Sequence, residues 1–485
     1  MPFRVALVAS ELAPFAKTGG LGDVTAALAR YLHAAGHDVR PFLPLYGSLK
    51  LSGKTLVPVE FLQRVPVALG TRRLMFSVST ASLPSSACPV YFVSCPEMYD
   101  RPGIYSNHGD EHLRYALLSH AALMSCQRMG FAPDVVHCHD WHTALIPLWL
   151  RTVYAWDQRF SRTRTVLTIH NLAYQGAVPS SAIPDLSLAG YERLLYQEDL
   201  RQGRVRFLAN GILHADAVTT VSATYAREIL EADHGWGLDP LLRVRGDRLL
   251  GIVNGIDADL WNPASDSNIA SRYDASDLAG KAACRRALLE DMRVAPDPKG
   301  PVFGVVSRLS AQKGLDLIPP AIEATLERDD ARLLVMGRGS HAIADRLWAL
   351  EHRHPKKVTF HHGFDQAREH RILAGSDVFL MPSLFEPCGL PQMYSLAYGT
   401  VPIVRKTGGL ADTVAIYDPD TGLGTGIVFD HSTVAGLRWA IETSARLFRD
   451  RPVWRSMQVQ GMAQDNSWTR RIHEYEALYG RLCGT

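Results

Sequence analysis

The sequence predicts an α/β protein of two Rossmann-like halves, each a doubly wound parallel sheet with helices on both faces. Three observations carry that expectation. At 485 residues the chain exceeds what one hydrophobic core normally serves. Apolar runs at 135–138, 165–169 and 217–221 lack polar alternation, as suits strands covered on both faces. Such runs alternate with amphipathic stretches on both sides of a break near 253–264, so one pattern occurs twice.

In the first half, strands are predicted at 3–10, 37–43, 72–79, 89–94, 133–138, 164–169, 216–221 and 249–253. Helices are predicted at 22–35, 110–129, 141–153, 204–214 and 222–232. The segment 46–100 is richer in strand-like pieces and reads as a hairpin insertion at the sheet edge. G-I-V-N-G-I-D at 251–257, then W-N-P at 261–263 and a polar run, breaks the alternation. The domains expected are 1–253 and 254–466, with 467–485 as a terminal helix. A polar region at 265–300 holds a helix near 278–291. The second half repeats the alternation, with strands near 302–307, 332–336, 357–361, 377–381, 401–404 and 427–428. Its helices are expected near 314–327, 341–352, 367–374, 389–398 and 433–449, and 452–484 reads as helical again.

Composition narrows the function. Lys+Arg 51 against Asp+Glu 49 argues against a nucleic-acid or membrane-surface binder. No run approaches the roughly 18 unbroken apolar residues of a membrane helix. The apolar start leads straight into a glycine loop, so it reads as a first strand and not a signal peptide. Seven scattered cysteines without a C-x-x-C pair suit a reduced, cytoplasmic protein.

In open parallel sheets ligands bind outside the carboxyl ends of the strands. Those ends are polar here. K-T-G-G-L-G-D-V at 17–24 lies between the first strand and helix. Its glycines permit close backbone approach, a helix N-terminus favours anions, and Lys17 adds a charge, so the loop reads as a diphosphate cradle or a flexible turn. It is neither a Walker A loop nor G-x-G-x-x-G. His137-Cys138-His139-Asp140-Trp141-His142 follows Val135–Val136, and His170-Asn171 follows Thr165–Ile169. The first strand of the second half ends in Arg308, Lys313 sits near the next helix start, and Glu386-Pro387-Cys388-Gly389 follows a later strand.

For 137–142 a metal site is weighed first, since His and Asp bind zinc, but the i, i+4 pairing of H-E-x-x-H is missing. Sugar handling fits better: Asp accepts from hydroxyls and Trp stacks on a pyranose. The plain alternative is a strand end that caps the following helix through Asp140. Glu386 can accept two sugar hydroxyls, or simply favour a helix N-terminus. Arg308 and Lys313 can neutralise a diphosphate leaving group, or be solvated surface charge. A rival reading is NAD-dependent oxidoreduction, because 332–342 holds G-x-G-x-x-A after a strand. The next strand ends in His361-His362 without the ribose-binding acid, so those glycines read as a tight strand-to-helix turn. A pyridoxal-phosphate phosphorylase needs a Schiff-base lysine that the sequence does not single out.

Eight motifs in order resemble bacterial glycogen synthase and plant starch synthase: K-T-G-G-L-G-D-V (17–24), E-M-Y-D-R-P-G-I-Y (97–105), H-D-W-H (139–142), T-I-H-N (168–171), V-N-G-I-D (253–257), S-R-L-S-A-Q-K-G (307–314), F-E-P-C-G-L (385–390) and T-G-G-L-A-D-T-V (407–414). The resemblance implies the GT-B architecture, two Rossmann-like domains facing across a cleft, with the C-terminal helix crossing back to the first. It implies retaining transfer of glucose from ADP-glucose to the non-reducing 4-hydroxyl of an α-1,4-glucan, glycogen or a maltooligosaccharide, without metal or cofactor. By resemblance Lys17, with Gly19 and Gly20, binds the nucleotide sugar, and Arg308 and Lys313 hold the diphosphate. Glu386, Cys388, Gly389 and Leu390 line the glucose site, and His170 lies at the reacting carbon. Asp23, Asn171 and Asn254 are expected nearby. Tyr99, Asp140 and His142 fall toward the acceptor, and Gly408 and Gly409 toward the nucleotide. Domain closure would bring 308–313 against 17–22 and exclude water. UDP-glucose as donor, and a non-catalytic glucan-binding homologue, are the alternatives. The one departure is Pro391, which removes an N–H after F-E-P-C-G-L.

Overall fold

The strand Arg4–Val8 is buried at four of its five residues and lies at the middle of a ten-stranded sheet. The order runs Leu249–Gly251, Ala217–Thr220, Arg164–Ile169, Val135–His139, Arg4–Val8, Asp38–Pro44, Pro89–Ser94, Arg72–Ser82 and Val57–Pro58, with Val65–Leu69 paired on Arg72–Ser82. The first seven are parallel. Arg72–Ser82 pairs antiparallel with Pro89–Ser94 and forms the expected hairpin edge; its alternating burial fits a sheet covered mainly on one side. This computed structural model describes residues 2–49, 51, 55–106 and 108–485. The chain divides into two compact units, Met1–Asn254 with Trp468–Thr485, and Gly255–Ser467.

The C-terminal helix Trp468–Cys483 belongs to the first unit because its apolar stripe has nowhere else to go. Trp468, Ile472, Tyr475, Leu478 and Tyr479 recur at helical spacing and are buried in that unit's core. His37 Nε2 meets the Glu476 carboxylate at 3.0 Å, and the Phe3 and Tyr479 rings meet edge-on.

The second unit holds six parallel strands in the order Val358–His362, Arg332–Gly339, Val302–Leu309, Val378–Met381, Val401–Arg405 and Ile427–Phe429. The helices Ile318–Arg328 and Val434–Arg449 bring buried apolar faces to this core.

Several expected helices are shorter than their patterns. The one expected at 141–153 is two turns of helix, Asp140–Thr143 and Ile146–Leu150, since Pro147 suits only a helix start. The one at 204–214 begins at Phe207, because Arg204–Arg206 pairs with Ala177–Pro179 instead. Likewise 222–232 resolves into Ala223–Glu228 and Ala232–Gly235, and 452–484 into Arg451–Met462 and Trp468–Cys483. Of the glycines of 332–342, Gly339 makes the expected strand-to-helix turn: at φ +150° it ends its strand two residues before the helix His341–Arg353. Gly337 and Gly339 lie within the strand Arg332–Gly339, where an added Cβ would meet Ser307 O and Leu309 O, each at 2.3 Å. Both allow close approach to the neighbouring strand. No helix among the described residues is long and apolar enough to cross a membrane.

Candidate functional site

In the first unit the glycine loop is organised by a residue its motif does not contain. Buried Glu11 accepts from the Thr18 N–H at 2.7 Å, the Gly19 N–H at 3.2 Å and the Thr18 hydroxyl at 2.7 Å. These two loop amides are thus bound to the chain's own carboxylate and are not open to a phosphate. The anion-seeking groups that remain are the first-turn amides of Gly20–Ala34, where an α-helix lacks internal acceptors, and Lys17. Lys17 Nζ lies 2.7 Å from Asp23, and both side chains are partly exposed. Gly22 is closely packed: a Cβ there would meet Ala16 O at 3.1 Å and Glu11 Oε2 at 3.4 Å, so a neighbour would have to give.

Tyr105 donates its hydroxyl to the same Glu11 carboxylate at 2.6 Å and stacks on His142, with ring centroids 5.2 Å apart. It is 39% exposed, whereas the expected Tyr99 is fully buried and spends its hydroxyl on Arg114 O at 2.8 Å. Tyr99 is therefore a core residue, and the tyrosine presented to solvent is the last letter of the same motif. His142 is buried against Tyr105, Tyr115 and Trp141. Trp141 does not offer an open face to a sugar, because Gly176 lies on its ring; a Cβ there would meet Trp141 at 2.2 Å.

Asp140 does not cap the helix that follows it. It has φ +55°, and its Oδ1 accepts from the N–H of His170 at 2.7 Å and of Asn171 at 3.4 Å. It ties two strand ends together. Burial pushes its carboxyl up to about 7 against the opposing pull of those two N–H groups. His170 bonds His139 Nδ1 through Nε2 at 2.9 Å, and burial pushes its imidazole down to about 3, so it is neutral. Asn171 Oδ1 accepts from Ala173 N–H. Asn254 is buried, and its Oδ1 has no hydrogen-bond partner among the described residues.

In the second unit Lys313 Nζ lies 2.5 Å from Glu386 Oε2, and Ser383 donates to the same oxygen at 3.1 Å. Glu386 is 6% exposed, so this pair is neither a simple helix-end charge nor solvated surface. The loop carrying Lys313 is fastened to the loop carrying Glu386: Leu384 N–H donates to Gln312 O, and Gln312 Nε2 to Phe385 O. Gly314, at φ +61°, lets Pro382 O approach where a Cβ would stand at 2.1 Å. Arg308 is exposed at the end of Val302–Leu309, in register with exposed Arg338 on the next strand. No sequence signal had marked Arg338.

Gln392 holds the third loop. Its Nε2 donates to Cys388 O, Gly389 O and Thr413 Oγ1, and Thr413 donates to Gly409 O. The backbones meet without side chains between them: a Cβ on Gly408 would stand 1.9 Å from Glu386 O, and one on Gly409 2.2 Å from Cys388 O. Gly389 has φ +72°, Cys388 is buried, and Leu390 precedes Pro391–Ala397. Pro391 sits in that helix's first turn, where an N–H would have no intrahelical partner, so it costs the helix nothing.

Two family models match the chain: "Starch synthase catalytic domain" over residues 4–244 and "Glycosyl transferases group 1" over 290–447. A glycogen synthase of Anaeromyxobacter dehalogenans is 43% identical over 99% of both chains, and one of Koribacter versatilis 40% identical over 98% of this chain and 97% of its own. The solved catalytic domain of starch synthase IV from Arabidopsis thaliana, bound to ADP and acarbose, superposes with TM-score 0.93 at 32% identity over the whole of both chains. A sucrose-phosphate synthase from Thermosynechococcus elongatus, at 18% identity and TM-score 0.63, over 99% of both chains, shares the fold.

Proposed function

The chain belongs to the glycogen synthase family of GT-B glycosyltransferases, and from that premise we propose that it transfers glucose from ADP-glucose to the non-reducing 4-hydroxyl of an α-1,4-glucan, with retention and without a metal. The observation that carries the reading is near full-length identity to glycogen synthases, and the ADP held by the starch synthase supports the adenine nucleotide. The dinucleotide oxidoreductase alternative falls with that membership, since its glycines serve strand packing. UDP-glucose remains the competing donor.

Departure of ADP develops negative charge on the β-phosphate, and fixed cations there lower the barrier. Arg308 and Lys313 supply them on the second unit, the donor domain in this reading. Glu386 balances Lys313 and accepts glucose hydroxyls beside Cys388, Gly389 and Leu390. Gly408 and Gly409 admit the nucleotide end. On the first unit, the acceptor domain, Lys17, paired with Asp23, meets the nucleotide sugar together with Gly19 and Gly20. His170 stands at the carbon that becomes positive; an imidazole held neutral by burial adds no opposing charge there. Asn171, Asp140 and His142 stand beside it, the family resemblance adds Asn254, and Tyr105 replaces Tyr99 toward the acceptor. We place the enzyme in the cytoplasm.

The test is nucleotide release from ADP-glucose and from UDP-glucose, with and without maltooligosaccharide, in EDTA. Release from ADP-glucose that depends on the oligosaccharide and survives EDTA is expected. Faster release from UDP-glucose would reassign the donor, and loss of activity in EDTA would overturn the metal-free mechanism.

A further inference from the structure

A chain of buried side chains runs from the C-terminal helix to the end of the strand that carries His170. Tyr479, fully buried in Trp468–Cys483, meets His137 Nδ1 through its hydroxyl at 2.7 Å. His137 Nε2 is held from the other side by Thr168 Oγ1 at 2.6 Å, which in turn meets Thr219 Oγ1 at 2.6 Å. Gripped at both nitrogens, the His137 ring cannot turn. It stacks on the His139 ring with centroids 4.3 Å apart and 24° between planes. His139 Nδ1 then meets His170 Nε2 at 2.9 Å.

The protons in this chain are constrained. One hydrogen joins His139 Nδ1 and His170 Nε2. The other His139 nitrogen, Nε2, is buried with no partner among the described residues. A proton there would be an orphaned buried N–H, which proteins avoid more strongly than an underused acceptor. The His139 proton therefore sits on Nδ1 and is donated to His170 Nε2. A neutral His170 must then carry its own proton on Nδ1, the nitrogen that His139 does not touch.

We propose that His139 is a positioning residue that fixes the tautomer and ring plane of His170, and that Tyr479 holds His139 in place through His137. This rests on His170 standing at the reacting carbon. It gives the C-terminal helix a task beyond packing: one of its hydroxyls locks the histidine layer against which the reactive end is built. Burial favours the neutral form of all three imidazoles, so the lock works by orientation and not by added charge.

The test uses the full-length enzyme. Tyr479→Phe deletes only the hydroxyl. His139→Asn keeps a donor near the place of Nδ1, and His139→Leu removes it. Partners that orient metal-ligating histidines are worth about 10–100-fold in activity; by the same orienting action on His170, His139→Leu should lose kcat in that range and Tyr479→Phe nearer its lower end. Donor KM should change little, and His139→Asn should recover most of the loss. In histidine-labelled protein, nitrogen NMR should show His170 protonated on Nδ1 in the wild type and mixed tautomers in His139→Leu. His170→Ala separates the two claims. If it turns over like the wild type, the reading of His170 fails. If it is inactive while Tyr479→Phe and His139→Leu match the wild type, the positioning role fails alone. Equal loss in His139→Asn and His139→Leu, with the tautomer unchanged, would also overturn it by showing that His139 only fills space.

Discussion

The two units place polar groups at the same topological position, the carboxyl ends of parallel strands, yet arm it with opposite electrostatics. Around His170 the first unit uses groups whose charged form burial disfavours. His137, His142 and His170 are pushed down to about 3, and Asp140 is pushed up to about 7. The second uses permanent charge: Arg308 beside Arg338, and Lys313 against Glu386. A common fold position thus carries a neutral, hydroxyl-compatible surface in one unit and an anion-seeking one in the other. Pairing decides as much as burial: Glu386 is as buried as His142, and it is balanced by Lys313.

Acid should separate the units most strongly. Histidines whose folded pKa lies below the unfolded value near 6.5 bind protons preferentially when unfolded. Their stabilisation is intact above 6.5 and is lost as pH falls toward 3, about 2 kcal/mol for each by pH 5. In the second unit buried Lys281, pushed down to about 7, costs stability only as pH falls from 10.5 to 7 and is flat below that. Between pH 7 and 5, peptide-resolved hydrogen exchange, corrected for intrinsic rates, should show the first unit losing protection while the second keeps it. Parallel loss in both would break the comparison.

Removing permanent charge should do the reverse, harming turnover and sparing the fold. Loss of one preorganised group facing developing charge costs about 10²–10³ in kcat. Arg308→Ala should fall in that range while its unfolding midpoint stays within about 2 °C of the wild type, because the side chain is exposed. Lys313→Met should lose as much turnover and some stability as well, since it leaves Glu386 buried beside Ser383 without its cation. Steady-state kinetics and thermal unfolding on the same preparations check both. Equal loss of activity and heat stability in Arg308→Ala would show a structural role.

Asp140 opposes its histidine neighbours. An acid whose folded pKa is raised binds its proton more tightly when folded, so its stabilisation is full below about 4 and is lost as pH rises through 7. Asp140→Asn cannot titrate. On going from pH 7 to 5 it should lose roughly 2–3 kcal/mol more than the wild type, read from urea unfolding. An unchanged difference across that range would show that Asp140 stays ionised.

How much of this was legible in the sequence follows the same division. Strands were readable because parallel strands buried on both faces leave unbroken apolar runs, and helices such as Gly20–Ala34 because their stripe is long. Short helices failed where a proline or a local strand pair competed, as at Pro147 and Arg204–Arg206. In the candidate site, the cations and Glu386 stood out because charge at a strand end is visible in one dimension. Glu11 and Tyr105 did not. Their partnership spans 94 positions, and neither residue has a pattern of its own. One motif holds both Tyr99 and Tyr105, and only burial distinguishes them.

The finest probe of the comparison is Lys17, the permanent cation singled out in the glycine loop of the first unit. Its pair with Asp23 is half solvated, so by itself it is worth at most about 1 kcal/mol. Lys17→Ala should therefore leave the unfolding midpoint unchanged. If the lysine serves the donor as a mobile charge, donor KM should rise severalfold with kcat less affected, since a contact made equally in ground and transition states moves KM alone. Asp23→Asn tests the same idea from the other side: it keeps the side-chain shape, frees Lys17 from its carboxylate, and should lower donor KM or leave it unchanged. A matching rise in KM for both variants would mean that the ion pair, not the lysine charge, shapes the loop. The first unit's contribution to donor binding would then come from the first-turn amides, with Glu11 holding the glycine turn that presents them.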